Sequence, residues 1–173
     1  MNDIITIESA AISESNLLSI LFKTVYIDTY GSEGVTNEFA NFIETKFSPT
    51  KIKENIESEH CDLWVAKFMN NPVGILQVEY ANPCPITKEV LPEVNKLYIL
   101  NRFFGKGIGQ KLMKAAEKDI LDKGNNSIWL WLLESNERAL NFYTKQGYRN
   151  IGTAFFQMET NNYKNIVMQK NFH

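Results

Sequence analysis

The chain has 173 residues and a mass of 19.9 kDa, which favours one domain with its own core. Hydrophobic residues make up 44% and charged residues 22% of the sequence, which excludes disordered, collagenous and coiled-coil classes. The formal net charge of −2 lacks the basic excess of proteins that grip a nucleic-acid backbone, so we expect no nucleic-acid partner.

Cysteines and histidines are too few for a disulfide framework or a metal centre. Cys61 and Cys84 show no metal-ligand spacing, and the histidines are His60, beside Cys61, and His173. We therefore expect no metal. The N-terminus lacks a charged region followed by an apolar run, and no window approaches the ~20 apolar residues that span a bilayer. We expect a cytoplasmic protein without membrane association.

The N-terminal third is predicted to hold one short strand followed by helices. The β-branched run Ile4–Ile7 predicts the strand. A helix is predicted from Ser13 to Tyr30, because Leu17, Leu21 and Val25 recur at helical spacing.

Two shorter helices are predicted next. Phe39, Phe42 and Ile43 mark the first, and Ser48-Pro49 supplies an N-cap hydroxyl and a proline at the first position of the second.

The middle of the chain changes to the period of strands. The runs 62–68 and 73–80 predict an antiparallel hairpin joined by a turn at Asn70–Pro72. A further strand is predicted over 93–100. The loop before it contains Asn82-Pro83-Cys84-Pro85.

Helices and strands alternate in the last third. A helix is predicted from Ile108 to a stop at Gly124, followed by a strand at Ile128–Leu133 that is apolar on both faces. Ser135-Asn136 caps the next helix, which ends at Gly147, and two strands flank a turn near Asn161-Asn162. Strand, helix and strand over 93–133 imply a parallel pair, so we expect a mixed sheet with helices on both faces.

Three alternating glycines, Gly105, Gly107 and Gly109, lie between a predicted strand and a predicted helix. Glycine lets the backbone turn sharply and approach a ligand, and the helix N-terminus suits a phosphate group. Lys106 and Lys111 add positive charge at the same place. On these residues alone, phosphate binding and a plain turn are equally good interpretations.

The loop fits neither common nucleotide fingerprint. A P-loop requires Gly-Lys-Ser/Thr, whereas Gln110 follows Gly109 here. A dinucleotide site requires G-x-G-x-x-G, whereas these glycines are spaced G-x-G-x-G and lie in mid-chain.

Two runs resemble the GNAT superfamily of acyl-CoA N-acyltransferases. The run 97–112 resembles the signature strand, loop and helix of that family, and Asn136–Tyr148 resembles its Asn-x-x-Ala-x-x-x-Tyr-x-x-x-Gly-Phe/Tyr helix. The resemblance covers residues 60–150 most strongly. It implies an α/β fold with a mostly antiparallel, centrally splayed sheet between helices, forming a single domain over 1–173.

The family resemblance also implies roles for individual residues, with acetyl-CoA as co-substrate. The strand Leu97, Tyr98 and Ile99, chiefly the backbone of the first and third, would pair with the pantetheine arm. Asn136 would contact the cofactor and Tyr143 would be a general acid near the sulfur. Six backbone amides would hold the pyrophosphate, namely those of Gly105, Lys106, Gly107, Ile108, Gly109 and Gln110.

One position departs from the family pattern. The loop of the family usually begins with Gln or Arg, and the register that keeps the spacing from the strand places Phe104 there. Arg102 offers a second register, but that register shortens the distance from strand to loop. We therefore prefer the first register. Because main-chain donors would hold the phosphate, Phe104 at this position weakens the match only modestly.

The chemistry of acetyl transfer agrees with these roles. Negative charge builds on the thioester oxygen, so fixed N–H donors at a strand end would stabilise it. A tyrosine of pKa ~10 is a plausible proton donor to a thiolate whose conjugate acid lies near 8.5. Without the family, a core aromatic beside Phe142 is the better interpretation of Tyr143.

The incoming amine must lose a proton, and Glu93 is the candidate base. Period-two alternation places Glu93, Asn95, Leu97 and Ile99 on one face of the strand. A solvated carboxylate at the strand start is the competing interpretation. Glu134 is a weaker candidate.

The acceptor is left open by the residues. The stretch 97–109 and Gly152–Glu159 resemble the spermidine/spermine acetyltransferase (PaiA-like) branch, which implies a small amine. Anionic contacts could then come from Asp28, Glu33, Glu38 and Glu93.

Other interpretations remain open. They are a protein or peptide N-acetyltransferase, a non-catalytic acyl-CoA sensor, and a nucleotide-binding domain unrelated to CoA. The sequence also leaves the oligomeric state open, a homodimer being one option.

Overall fold

A computed structural model describes residues 5–32, 34–158 and 161–172. Four residues that carried expectations lie outside the described residues, namely Ile4, Glu33, Glu159 and His173.

Within the described residues, seven strands and five α-helices follow one another in the order that the sequence predicts. Short 3-10 turns occupy Ile12–Glu14 and Asn101–Phe103. The elements are β1 (Ile5–Ser9), α1 (Ser15–Tyr30), α2 (Asn37–Lys46), α3 (Pro49–Glu57), β2 (Cys61–Phe68), β3 (Asn71–Glu79), β4 (Glu93–Ile99), α4 (Ile108–Asp122), β5 (Ser127–Leu133), α5 (Glu137–Lys145), β6 (Arg149–Met158) and β7 (Asn161–Asn171).

The strands form one sheet in the order β1-β2-β3-β4-β5-β7-β6. The pairs β1–β2, β5–β7 and β6–β7 are antiparallel, whereas β4 and β5 are parallel. Among the described residues, Glu93↔Trp129 is the one registered pair between β4 and β5. The predicted mixed, mostly antiparallel α/β fold is therefore confirmed.

Side-chain caps start the short helices where the sequence predicts them. The Ser48 hydroxyl accepts a hydrogen bond from Lys51 N–H (3.2 Å), with Pro49 as the first residue of α3. Thr36 caps α2 in the same way, accepting from Phe39 N–H (3.2 Å). No helix in the described ranges is long and apolar enough to cross a membrane.

Two local predictions were wrong by one position. The turn between β2 and β3 is Met69-Asn70, both with positive φ, so that Asn71 already belongs to β3. Leu17 is 56% exposed, and the buried stripe of α1 passes through Leu18 instead. The two strands predicted to flank a turn near Asn161-Asn162 are β6, which ends at Met158, and β7, which begins at Asn161.

The chain forms two compact units. The first comprises the residues up to Gln77 together with Lys96–Ala116, and the second comprises Val78–Asn95 together with the residues from Glu117 onward.

The core of the first unit is aromatic. Phe22 and Phe47 stack with ring centroids 5.1 Å apart, and Tyr26 lies 5.3 Å from Phe47. Leu18 and Phe22 of α1 are fully buried.

The core of the second unit is built on β5 and β7. Cys84, Trp129 and Val167 are its buried centre. Partly buried apolar side chains pack against them, namely Ile86, Leu91, Trp131, Ile151 and Ala154. The indole N–H of Trp129 donates to Leu91 O (3.1 Å), which ties the loop before β4 to this core.

Candidate functional site

The glycine loop between β4 and α4 has a conformation that its glycines make possible. Gly105 and Gly107 have φ of 75° and 73°, in the left-handed region that side chains rarely adopt. A Cβ built on either residue would meet no described atom within 4 Å. The glycines are thus required by backbone conformation rather than by packing, and they leave open space beside the main chain.

The backbone N–H groups of this loop fall into two sets, those that donate a hydrogen bond within the loop or helix and those with no acceptor within α4. The N–H groups of Phe103 and Phe104 bond to Leu100 O (2.8 Å) and Asn101 O (3.1 Å), within the 3-10 turn. Lys111 N–H bonds to Gly107 O (3.1 Å), which is the first i→i−4 bond of α4. The amides of residues 107–110 therefore precede the first helical bond and have no partner within the helix. Such donors, with the helix dipole behind them, suit an anion.

Lys106 lies over aromatic rings beside the loop. Its Nζ is 5.4 Å from the ring centroid of Phe103 and 6.0 Å from that of Phe68. Those two rings are 5.5 Å apart. Residues 105–107 and Gln110 are exposed, whereas Ile108 and Gly109 are buried. Positive charge and accessible backbone therefore coincide.

The backbone of β4 alternates between its two edges. Leu100 N–H donates to Val73 O (3.0 Å), which places the amide of Leu100 on the β3 side. Since consecutive residues of a strand point their backbone groups to opposite edges, the amides of Leu97 and Ile99 alternate in direction with Tyr98 and lie on the edge away from β3.

The side chains of β4 also alternate. Tyr98 packs its ring against Phe22 (centroids 5.8 Å) and Phe47 (6.4 Å), and Lys96 Nζ lies 5.9 Å from the Phe47 centroid. Tyr98 thus belongs to the aromatic core of its unit through its side chain. Leu97 and Ile99 are half-buried.

Glu93 lies in a network of amides and carboxylates at the start of β4. Its side chain is only 2% exposed. Asn82 Nδ2 donates to Glu93 Oε2 (2.6 Å) and to Glu79 Oε2 (2.6 Å). Asn95 Nδ2 donates to Glu93 Oε1 (3.1 Å), which confirms that these two residues share a face. Glu93 is therefore a buried, hydrogen-bonded carboxylate rather than a solvated one.

Sequence reasoning missed the role of Asn82. The Asn-Pro dipeptide indicates only a turn. In the structure the loop is fixed by a bridge between Pro83 and Val90 and by a hydrogen bond from Cys84 N–H to Glu89 O (2.8 Å). No periodic pattern could connect this loop with a side chain eleven residues further on.

Asn136 and Tyr143 are positioned by α5. Asn136 is the N-cap, and its Oδ1 accepts a hydrogen bond from Ala139 N–H (3.1 Å). Tyr143 is 8% exposed, with its ring 5.1 Å from that of Phe142 and 5.6 Å from that of Tyr148. Asn136 therefore stabilises the N-terminus of α5, and Tyr143 packs against a second buried tyrosine, Tyr148.

Tyr148 is anchored to a charged pair. Its hydroxyl donates to Glu117 Oε1 (3.3 Å), and Lys170 Nζ binds Glu117 Oε2 (2.6 Å). Burial, followed by the negative charge of Glu117 and the neighbouring Tyr143, raises the pKa of Tyr148 well above its usual value.

The other acidic candidates are engaged elsewhere. Glu134 forms an ion pair with Lys164 (2.7 Å), and Asp28 Oδ2 accepts from Asn101 Nδ2 (3.0 Å). Glu38 lies half-buried in the first turn of α2.

Comparison with known proteins identifies the class. The model of the acetyltransferase (GNAT) family matches residues 30–148. An uncharacterized N-acetyltransferase of Archaeoglobus fulgidus is 39% identical over 129 residues, covering 74% of this chain and 84% of that protein. One from the pepI 3′ region of Lactobacillus delbrueckii subsp. lactis is 22% identical over 151 residues, covering 86% of each.

Solved structures share the fold. The crystal structure of PaiA N-acetyltransferase from Thermoplasma acidophilum in complex with coenzyme A superposes with a TM-score of 0.77 at 19% identity, covering 98% of this chain and 99% of that one. A GNAT-family acetyltransferase from Staphylococcus aureus Mu50 gives 0.75 at 15% identity, covering 98% and 100%.

The chain belongs to the GNAT acetyltransferase family and is an N-acetyltransferase.

Proposed function

We propose that the protein transfers the acetyl group of acetyl-CoA directly to a primary amine, with a small polyamine-like molecule as acceptor. The observation that carries the proposal is the loop at residues 105–110. Its backbone donors precede the first helical bond of α4, and its glycines leave space beside them.

The loop fits the diphosphate of coenzyme A. The amides of Gly107, Ile108, Gly109 and Gln110 lack helical partners, and the helix dipole adds partial positive charge. Those of Gly105 and Lys106 would complete the six predicted donors, and Lys106 Nζ supplies full charge. The PaiA structure of the same fold holds coenzyme A, which supports this assignment.

The β4 edge away from β3 would receive the pantetheine arm. The backbone groups of Leu97 and Ile99 lie on that edge. Tyr98 lies between them, and its side chain would hold the strand in place by packing in the aromatic core. An N–H at the same edge could stabilise the negative charge that develops on the carbonyl oxygen.

Tyr143 would protonate the leaving sulfur, as the family resemblance implies. A phenol of pKa ~10 is matched to a thiol of pKa ~8.5. Burial of Tyr143 beside Tyr148 restricts its ring, which supports a fixed donor. Asn136 would contact the cofactor through its amide nitrogen, since its oxygen caps α5.

Glu93 would accept the proton of the incoming ammonium group, directly or through water. Its burial and its fixed orientation support this role over that of a surface carboxylate. Acetyl-CoA would supply the acyl group, and no metal is needed in this scheme.

Resemblance to the PaiA-like branch supports the polyamine acceptor, and Asp28 offers an exposed carboxylate for a second ammonium group. The test is release of free CoA thiol from acetyl-CoA with a panel of amines. We expect turnover with spermidine or a related polyamine. Turnover of peptide N-termini or lysines with none of polyamines would identify a protein acetyltransferase instead, and no turnover of any amine, with CoA bound, would indicate a sensor.

A further inference from the structure

The loop before β4 carries one amide between two carboxylates. Asn82 Nδ2 lies 2.6 Å from Glu79 Oε2 on β3 and 2.6 Å from Glu93 Oε2 on β4. Asn82 is half-buried, and Glu93 is almost completely buried. The amide is therefore inserted where two like charges would otherwise face each other.

The donor count of asparagine matches this position. An ionised carboxylate only accepts hydrogen bonds, whereas the amide nitrogen of asparagine carries two N–H donors. One donor is available for each carboxylate, and the chemistry itself fixes which end of the amide points toward them. Aspartate at this position would present acceptors to acceptors.

The backbone holds Asn82 in place independently of its side chain. The next residue, Pro83, forms a bridge with Val90, and Cys84 N–H bonds to Glu89 O (2.8 Å). Cys84 is itself fully buried in the core beside Trp129. The loop therefore presents the amide from a fixed base.

We propose that Asn82 is a positioning residue that holds the Glu93 carboxylate ionised and in one orientation, ready to accept the proton of the acceptor amine. The inference rests on the proposed function, in which Glu93 is the base. Asn95 donates a hydrogen bond to Oε1 of Glu93 (3.1 Å), and Asn82 donates one to Oε2. The two amides together fix both oxygens of the carboxylate.

The groups that face Glu93 set the direction of the pH effect. Across the amide, Glu79 on β3 faces Glu93, and a negative charge there opposes ionisation of Glu93. The amide of Asn95, which binds the other carboxylate oxygen of Glu93, is neutral. Without the Asn82 amide, the repulsion between Glu79 and Glu93 remains, and the hydrogen bond that stabilises the ionised form of Glu93 is lost. Glu93 should therefore retain its proton to a higher pH.

The test compares Asn82→Ala and the isosteric Asn82→Asp with Asn150→Ala. Asn150 is a suitable control because its Oδ1 binds a backbone amide, Gly152 N–H (2.9 Å), rather than a carboxylate. We expect both Asn82 variants to lower kcat about tenfold and to move the acidic limb of the pH profile upward by about one pH unit. Affinity for acetyl-CoA should stay within about twofold, and the control should resemble the wild type.

A ¹³C titration of the Glu93 side-chain carboxyl separates this inference from the proposed function. Its midpoint should rise in both Asn82 variants even if the wild-type protein acetylates none of the amines tested. The Glu79 carboxyl signal is followed in the same spectra, because it shares the Asn82 amide with Glu93. A Glu93 midpoint and acidic limb that stay unchanged in folded Asn82→Asp protein would overturn the inference.

Discussion

At the residue scale, the proposed proton transfer depends most on the hydroxyl group of Tyr143, which follows Phe142 in the sequence. Replacing Tyr143 by Phe keeps the ring packing against Phe142 and Tyr148 and removes the proton donor. General acid catalysis typically contributes 10²–10⁴-fold, so we expect kcat to fall by about 10²-fold or more while affinity for acetyl-CoA is retained. Stopped-flow and equilibrium binding measure the two quantities separately.

The neighbouring phenol provides the control for this substitution. Tyr148→Phe also removes a buried hydroxyl, but one that bonds to Glu117. Its kcat should stay within a few-fold of the wild type. An equal loss of kcat in both variants would show that packing of α5, and not proton donation by Tyr143, is responsible.

Tyr148 itself predicts a pH dependence of stability. Because its pKa is raised in the folded state, the folded protein keeps the phenolic proton after the unfolded chain loses it. The stabilisation is complete below the unfolded value of ~10 and declines as pH rises above it, by at most ~1.4 kcal/mol per pH unit.

Urea unfolding of wild type and Tyr148→Phe at pH 8 and at alkaline pH measures this effect. At pH 8 the variant should be less stable by about 1 kcal/mol, since the bond to Glu117 is lost. Above pH ~10 the difference should shrink, because phenylalanine has no proton to lose. Tyr30, whose pKa burial also raises, remains in both proteins and cancels. Parallel loss of stability in the two would refute the assignment to Tyr148.

Residue identities were predictable from the sequence where a motif fixes them, and long-range partners were not. Glu93 could be selected by alternation along one strand. Its bond to Asn82 depends on how an irregular loop folds back, which no local period encodes.

At the element scale, the glycine loop makes a prediction with a matched control. Gly107→Ala forces alanine into φ 73°, at a cost of about 1–2 kcal/mol of strain, and lets the loop relax away from its donor geometry. We expect affinity for coenzyme A to fall about tenfold or more.

Gly124→Ala creates the same kind of strain elsewhere. Gly124 has φ 84° after α4, and an added Cβ there also meets no described atom within 4 Å. Gly107→Ala and Gly124→Ala should lower the thermal unfolding temperature by similar amounts. In calorimetric titration with coenzyme A, only Gly107→Ala should lose affinity. Equal affinities would mean that the loop does not hold the ligand.

The elements were predictable in kind and order because their apolar periods differ clearly. Their ends were less predictable. Asn71-Pro72 has the composition of a turn, yet the left-handed residues are Met69 and Asn70, and methionine carries no turn signal. The buried stripe of α1 was misplaced by one residue because Leu17 and Leu18 are both apolar.

At the scale of the whole molecule, two resembling motifs indicated the family that the comparison with known proteins establishes. The position of β7 between β5 and β6 could not be obtained in the same way, since neighbours in the chain would be the default neighbours in the sheet. The single domain over 1–173 remains a prediction.

The central claim is that backbone amides of the glycine loop hold the diphosphate of coenzyme A. A ¹H–¹⁵N titration of the protein with coenzyme A tests it most directly. We expect large, saturable shifts of the Gly107, Ile108, Gly109 and Gln110 amides, with little change at Gly124. Binding that leaves the loop amides unmoved, or no binding at millimolar coenzyme A, would contradict it.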